Sequence, residues 1–169
     1  KYVEPENPLI FLENNKDRFI WQSERDDWKH LYLYNTEGKM LKQLTKGEWM
    51  IKSVIGFDDK KENILVTTTK DGPLETNLYK VNLASGNISR ITKEKGNHRV
   101  KFNGKYVINS YSNTETPHIC NILDLDGKVV NELLKADNPL KDYKLGEMKI
   151  GTIKSEDNET DLYYRLIKP

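Results

Sequence analysis

The sequence predicts an all-β fold of about three four-stranded antiparallel units, and three observations carry that expectation. Apolar residues come in short runs of aliphatic, β-branched and aromatic side chains, each broken by a polar turn. The same inner order of strand, polar turn, strand, glycine turn and strand returns three times. The glycines of the late turns, Gly38, Gly86 and Gly127, recur at intervals of 48 and 41 residues. Four short strands in a period of that length are the signature of propeller blades. A β-sandwich also has short strands and frequent turns, but it does not predict the repeated inner order.

Residues 1–8 are polar, with Pro5 and Pro8, and read as an approach segment. The first unit, about 9–45, opens on the apolar run Leu9 to Leu12, followed by the turn formers Glu13 to Asp17. Its centre is Phe19 to Tyr34, in which Phe19 to Gln22 and His30 to Tyr34 flank the charged stretch Glu24-Arg25-Asp26-Asp27. Asn35-Thr36-Glu37-Gly38 is a tight turn with glycine at a position that favours positive φ. Lys39 to Leu44 closes the unit, ending in Leu44-Thr45.

The second unit, about 49–92, begins at Trp49 and runs to Phe57. The acidic and basic turn Asp58 to Glu62 leads to Ile64-Leu65-Val66-Thr67-Thr68-Thr69, dense in β-branched residues. Leu78 to Leu83 alternates, Ala84-Ser85-Gly86-Asn87 turns, and Ile88 to Thr92 closes as the first unit closed. The third unit, about 98–134, has His98 to Phe102, Tyr106 to Tyr111, His118 to Leu125 and Lys128 to Leu134. Beyond it, residues 135–169 read as a connecting segment. Asn138-Pro139 has the form of a helix cap with proline at the first helical position, and Leu140, Tyr143 and Leu145 make a small apolar stripe. The expectation is a helix of one or two turns, then a hairpin from Met148 to Ile153 and Leu162 to Ile167.

Composition narrows function. The chain has 169 residues, 36% hydrophobic and 31% charged, with a net charge of +1. Positive and negative residues are interspersed, so no footprint for nucleic acid or anionic lipid is expected. No run approaches the roughly 20 apolar residues of a membrane helix. Cys120 is the one cysteine and reads as a buried structural thiol. Both ends are expected to be cut from something longer.

The stretch Phe-Ile-Trp-Gln-Ser-Glu-Arg-Asp at 19 to 26, with His30-Leu31-Tyr32-Leu33-Tyr34 and then Gln43-Leu44-Thr45-Lys46-Gly47-Glu48-Trp49, resembles the late propeller blades of the dipeptidyl peptidase IV family. Asn77-Leu78-Tyr79-Lys80-Val81 and the closing Ile167-Lys168-Pro169 match the same family in the same order. Asp27 departs from its bacterial pattern, which has glycine in the Arg-Asp-Gly turn. The resemblance implies an N-terminal propeller of eight blades over an α/β-hydrolase domain whose serine, aspartate and histidine cleave dipeptides after proline or alanine. Residues 1–134 would be its late blades, and 135–169 the crossing into a hydrolase domain that lies beyond this sequence. The likeness also implies a periplasmic, secreted or cell-surface location and peptide substrates handled by the longer protein. A stand-alone propeller that binds protein or carbohydrate is the competing expectation.

Acyl transfer in such a protein needs the elbow Gly-x-Ser-x-Gly, and Ser23, Ser53, Ser85, Ser89, Ser110, Ser112 and Ser155 all lack the flanking glycines. The family's substrate-clamping glutamate pair is expected in earlier blades, and no Glu-Glu occurs here. His30, His98 and His118 show no zinc spacing, and neither Asp58-Asp59 nor Glu156 to Glu159 has the form of a calcium loop. These acidic stretches read as solvated turns, and Glu24 to Asp27 as a turn with internal charge pairing. No catalytic, cofactor or metal residue is expected. Asn87-Ile88-Ser89 and Asn158-Glu159-Thr160 are glycosylation sequons in a suitable host. The positions expected to shape the blades are Phe19, Trp21, Tyr32, Gly38, Trp49, Tyr79, Gly86 and Gly127, with Trp21 and Trp49 packed between sheets. Three blades leave two faces uncovered, which predicts that this chain either self-associates or leaves those faces partly disordered.

Overall fold

A computed structural model describes residues 8–168, and every regular element in them is a strand. The approach segment expected over 1–8 lies outside the described residues except for Pro8. The first sheet holds β1 (Ile10–Leu12), β2 (Asn15–Ser23), β3 (His30–Asn35) and β4 (Met40–Gln43). The second holds β5 (Ile51–Phe57), β6 (Asn63–Thr68), β7 (Asn77–Asn82) and β8 (Ile88–Arg90). The third holds β9 (Asn97–Phe102), β10 (Val107–Ser112), β11 (Ile119–Leu123) and β12 (Val129–Lys135). Strands adjacent in sequence are adjacent and antiparallel in each sheet, so the architecture is a partial β-propeller of three blades.

A strand sends alternate side chains to opposite faces, and the second sheet uses both. Ile64 pairs with Val81 and Val66 with Tyr79, placing all four on one face. These join Ile20, Leu31, Leu33 and Trp49 in a core between the first and second sheets. Leu65 and Leu78 point the other way and join Ile91, Val107 and Leu123 in a core with the third sheet. Ile64, Leu65, Val66, Leu78 and Val81 are wholly buried, each worth about 1.5–3 kcal/mol of apolar burial. Burial on both faces is why Ile64 to Thr69 is a continuous run rather than an alternating one.

The other face of the first sheet carries Phe11, Phe19, Trp21, Tyr34 and Met40. Their rings touch one another: Phe19 stacks on Tyr34 at 5.6 Å, with Phe11 and Trp21 tilted against this pair. Trp21 was expected to pack between sheets, and here it is 41% exposed. The reason is strand alternation. Ile20 faces the core, so Trp21 must face away, where no sheet among the described residues covers it. Trp49 does pack between sheets and is buried. On the third sheet, β12 is exposed along its whole length, with Val129, Val130, Leu133 and Leu134 about half exposed.

Turns are held by their own side chains. Asn35, Asn82, Asn103 and Asp124 each use Oδ1 to accept backbone N–H groups two to four residues on, the Asx turn that makes these residues turn formers. Only Glu13 and Asn14 turn between β1 and β2; Asn15 to Asp17 extend the strand, because Leu12 pairs directly with Asn15. Asp58 is not a solvated turn residue but a buried one, accepting from Glu62 N, Asn63 N and Asn63 Nδ2 at 2.8–3.0 Å.

The late glycines adopt one conformation, with φ of 83° at Gly38 and 80° at Gly86 and Gly127. At the later two they also make room for the preceding sheet. A Cβ on Gly86 would lie 3.5 Å from Leu44 O, and one on Gly127 only 2.1 Å from Ile91 O. Lysines add bridges between sheets at the same places. Lys42 Nζ donates to Ala84 O at 2.6 Å, and Lys80 Nζ to Leu125 O and Asp126 Oδ1 at 3.0 and 2.9 Å. The Lys80 ammonium holds the Asp126 carboxyl below its usual range.

The chain divides after Ala136 into two compact units. The expected helix after Asn138 is absent. Asn138 does cap, accepting from Leu140 N at 2.9 Å, but Pro139 to Asp142 form only turns. Leu140, Tyr143 and Leu145 are 48%, 69% and 63% exposed, so no burial offsets the cost of nucleating a short helix. Beyond them β13 (Glu147–Lys154) and β14 (Asp161–Lys168) pair in unbroken register, and the Tyr164 ring lies against Gly151.

Alanine at Gly38 and at Gly127 separates the two glycine roles. Gly38 has nothing within 4 Å of a Cβ, so Gly38→Ala should cost about 1–2 kcal/mol, the penalty of left-handed backbone. Gly127→Ala adds the collision with Ile91 O, so its urea midpoint should fall clearly below that of Gly38→Ala. Equal midpoints would mean that the contact between sheets is not tight.

Candidate functional site

The polar residues that the fold gathers most consistently lie where β2 turns into β3, and where β6 turns into β7. In the first sheet the Tyr32 hydroxyl donates to Asp26 Oδ2 at 2.7 Å, and Gln43 Nε2 donates to the same oxygen at 2.9 Å. In the second sheet the Tyr79 hydroxyl donates to the Asp71 carboxylate at 2.8 Å, while Arg90 Nη1 lies 3.4 Å from Asp71 Oδ1. Tyr32 and Tyr79 occupy corresponding places on β3 and β7, and Gln43 and Arg90 lie on the final strands beside them. One design thus occurs twice: an aspartate from the loop, a tyrosine from the third strand, and a long polar side chain from the fourth. Burial, then the bond to the aspartate and its negative charge, push both phenols far above the usual tyrosine value of 10.0.

The charge pair at this turn joins Glu24 Oε1 to Lys29 Nζ at 3.7 Å, and not Arg25 to Asp26. Arg25 instead lies over the Tyr32 ring at 4.2 Å, donates to the Tyr34 hydroxyl at 2.6 Å, and sits near Trp21 at 5.3 Å. Stacking on aromatic faces is favourable for a guanidinium, and the alternation of β3 presents Tyr32 and Tyr34 side by side. Asp27 adopts φ of 68°, the left-handed region that favours glycine.

A histidine begins the third strand of the first sheet and an asparagine that of the second. His30 Nε2 lies 2.9 Å from Gly47 O and Nδ1 3.0 Å from Thr45 Oγ1, which also accepts from Leu31 N. Gly47 O is an acceptor only, so the proton of the neutral ring is on Nε2 and Thr45 donates to Nδ1. Asn77 takes the place of His30, with Thr92 Oγ1 donating to its Oδ1 at 3.1 Å and accepting from Leu78 N. Trp49 packs edge-on against His30 at 4.9 Å, and Gly47 is required beneath it: a Cβ there would lie 2.6 Å from Trp49 Nε1.

The third sheet departs from this pattern. Asn121 stands where Tyr32 and Tyr79 stand and accepts from Asn109 Nδ2 at 3.1 Å, while Cys120 on the opposite face is half-buried rather than buried as expected, and His118 Nε2 meets Ser110 Oγ at 2.9 Å. His98 bridges Asn109 Oδ1 and Glu94 O and stacks on Tyr111 at 4.8 Å.

Two clefts open beside these loops. One of about 480 Å³ is lined by Asp26, Trp28, His30, Gln43, Lys46 and Glu48, among others. The other, of about 430 Å³, lies between the second and third sheets and includes Lys52, Thr76 and Asn97. Of the positions expected to shape the blades, Tyr32, Tyr79 and Trp49 are in this loop region. Phe19 and Trp21 are on the outer face, and Gly38, Gly86 and Gly127 are in the late turns. Sequence reasoning missed Asp26, Asp71, Gln43 and Arg90 as partners of the tyrosines. The signal available was Asp followed by Tyr six or eight residues on, in both units. No group of three or more potential metal ligands occurs among the described residues.

Two outcomes test the loop geometry. Asp27→Gly should stabilise the chain by about 0.5–1 kcal/mol, since glycine accepts the left-handed conformation without strain; an unchanged or lower urea midpoint would contradict this. The tyrosines predict a falling stability at alkaline pH. With both phenols raised in the folded state, the unfolded chain releases its protons first, so stability is complete below pH 10 and declines as pH rises past it. Removing one hydroxyl by Tyr79→Phe should cost about 1–2 kcal/mol at neutral pH. The double variant Tyr32→Phe, Tyr79→Phe should flatten the alkaline decline, measured as the urea midpoint against pH.

The family described as Dipeptidyl peptidase IV (DPP IV) N-terminal region matches residues 1–118. Dipeptidyl peptidase 4 of Trichophyton equinum is 28% identical over 155 residues, covering 87% of this chain and 20% of that protein. This chain therefore spans a small part of the curated relatives it matches. Among solved structures, a Bacteroides ovatus protein assigned as a dipeptidyl aminopeptidase IV matches all of this chain and 27% of its own, with TM-score 0.88 and 34% identity. Porphyromonas gingivalis dipeptidyl peptidase 4 matches 95% of this chain and 23% of its own, with TM-score 0.83 and 25% identity. Matched by that family over more than half its length, and sharing its sheets with these structures, the chain belongs to the dipeptidyl peptidase IV N-terminal region family.

Proposed function

We propose that this chain is a non-catalytic run of late blades in a serine exopeptidase that releases dipeptides after proline or alanine. Its blades wall the cavity over a hydrolase domain and restrict entry to short, unfolded peptides. The observation that carries this reading is the match of the whole chain, terminal hairpin included, to the Bacteroides ovatus structure. The division of labour follows from chemistry: the sequence has no nucleophile elbow, and an acyl-transfer site needs an activated serine beside oxyanion donors. The loop clusters described above bond to their own strands, as a wall requires. The protein would work outside the cytoplasm, in the periplasm, at the cell surface or after secretion. The uncovered aromatic face of the first sheet and the exposed β12 would lie against further blades in the longer protein and drive self-association of this chain alone.

The test is an assay of the longer protein and of this chain with a dipeptidyl chromogenic substrate ending in proline. The longer protein should release dye, and should cut a short peptide while sparing a folded protein with the same amino terminus. This chain alone should release none and should elute as an oligomer. A reading frame lacking Gly-x-Ser-x-Gly beyond residue 169, or equal cleavage of folded and short substrates, would overturn the proposal in favour of a binding propeller.

A further inference from the structure

The lining of the first cleft includes Asp26, Asp27 and Glu48, and the cleft between the second and third sheets differs from it in charge. Of its nine lining residues two are permanent cations, Lys52 and Arg99, four carry a hydroxyl or side-chain amide, and none is acidic. Three cations outside it meet carboxylates, Lys80 with Asp126, Arg90 with Asp71 and Lys61 with Glu13. The Arg99 guanidinium makes no hydrogen bond or ion pair with any described residue. Lys52 Nζ donates only to Thr76 Oγ1, at 2.9 Å, and that hydroxyl lies 3.2 Å from Asn97 Oδ1. An ammonium has three protons, so Lys52 is positioned by one bond and keeps two for a ligand.

The cleft is also braced. Thr76 bridges to Asn97 in parallel register, with His98 N donating to Thr76 O at 2.9 Å, which ties the wall from the second sheet to the innermost strand of the third. Thr67 and Thr76 are buried at its back, so hydroxyls lie behind the charges. A volume of about 430 Å³ is within the range of small-ligand sites. Two cations without counter-charge in the lining of one concave place attract an anion more strongly than the same cations on a flat surface.

We propose that this cleft binds a carboxylate of a short peptide, with Lys52 and Arg99 supplying the charge and Ser53, Thr76 and Asn97 the hydrogen-bonding rim. The choice of a peptide carboxylate rests on the peptidase reading above, because β5 and β9 are the inner edge strands of their sheets, where a wall would meet passing peptides. The carboxylate is either the free carboxyl terminus or an aspartate or glutamate side chain.

The experiment titrates this 169-residue chain by amide chemical-shift mapping with three capped probes. Acetyl-Ala-Ala-Ala has a free carboxyl terminus, acetyl-Ala-Glu-Ala-amide a side-chain carboxylate, and acetyl-Ala-Ala-Ala-amide none. Either acidic probe should move the signals of Lys52, Ser53, Thr76, Asn97 and Arg99, and whichever binds identifies the source. The neutral probe should not. Lys52→Gln with Arg99→Gln should weaken binding at least about tenfold, the loss of one or more charge-assisted bonds, and added salt should weaken it further. Lys60→Gln, a surface lysine outside the cleft, should leave it unchanged. Both cleft cations are exposed, and an unaltered far-ultraviolet spectrum of the double variant confirms that it folds. Equal binding of the neutral probe, insensitivity to the double variant, or a response to inorganic phosphate alone would overturn the proposal. Peptidase activity in the longer protein without probe binding would remove this site only. Binding without such activity would leave the site and remove its place in a peptidase.

Discussion

The constraint on which this structure depends is that the middle sheet has no solvent face. Ile64, Val66, Tyr79 and Val81 face one neighbour, and Leu65 and Leu78 face the other. A one-residue slip in the β6–β7 pairing would exchange the two sets and mismatch both cores at once. Register is therefore specified twice over, by pairing within the sheet and by packing on each side. The outer sheets have only one such partner here, and large apolar side chains remain on their free faces, Trp21 and Phe11 on one and Ile108 and Leu134 on the other.

The polar loops depend on that frame. Tyr32 and Tyr79 bring phenol groups from the third strands to the edge of the core, where burial would make an unpaired hydroxyl costly. Asp26 and Asp71 answer that need, and Gln43 and Arg90 complete it from the fourth strands. A loop is thereby tied to two strands of its own sheet. Where the tyrosine is replaced, at Asn121, the third sheet uses a different arrangement, with Asn109 donating to Asn121 and meeting His98 through its own Oδ1.

The blade order, the three late glycines and most turns were legible because they depend on local chemistry: alternation, β-branching, and side chains that bond to their own backbone. The resemblance over 19–49 was legible because it lies in a compact run. Three things were not. Trp21 was read as packed because tryptophan is usually buried, but its face depends on which sheet stands beside it, and alternation alone does not say. Asp58 was read as solvated because acidic turns usually are, and its burial follows from a pocket closed by residues up to five positions on. The Asn138 cap was real, but a cap does not make a helix when its apolar stripe has nothing to cover. The cleft of Lys52 and Arg99 joins residues far apart in sequence from two sheets, so no spacing could reveal it.

The contact of Gly127 with Ile91 O, and its looser counterpart at Gly86 and Leu44 O, has a geometric consequence. It sets how closely the outer turn of one blade approaches the outer strand of the blade before it, while Gly56 against Phe102 does the same near the inner edge. Together an outer and an inner spacing define a wedge angle. In a closed ring that angle determines how many blades fit and how wide the central opening is, so one glycine at the rim bears on both.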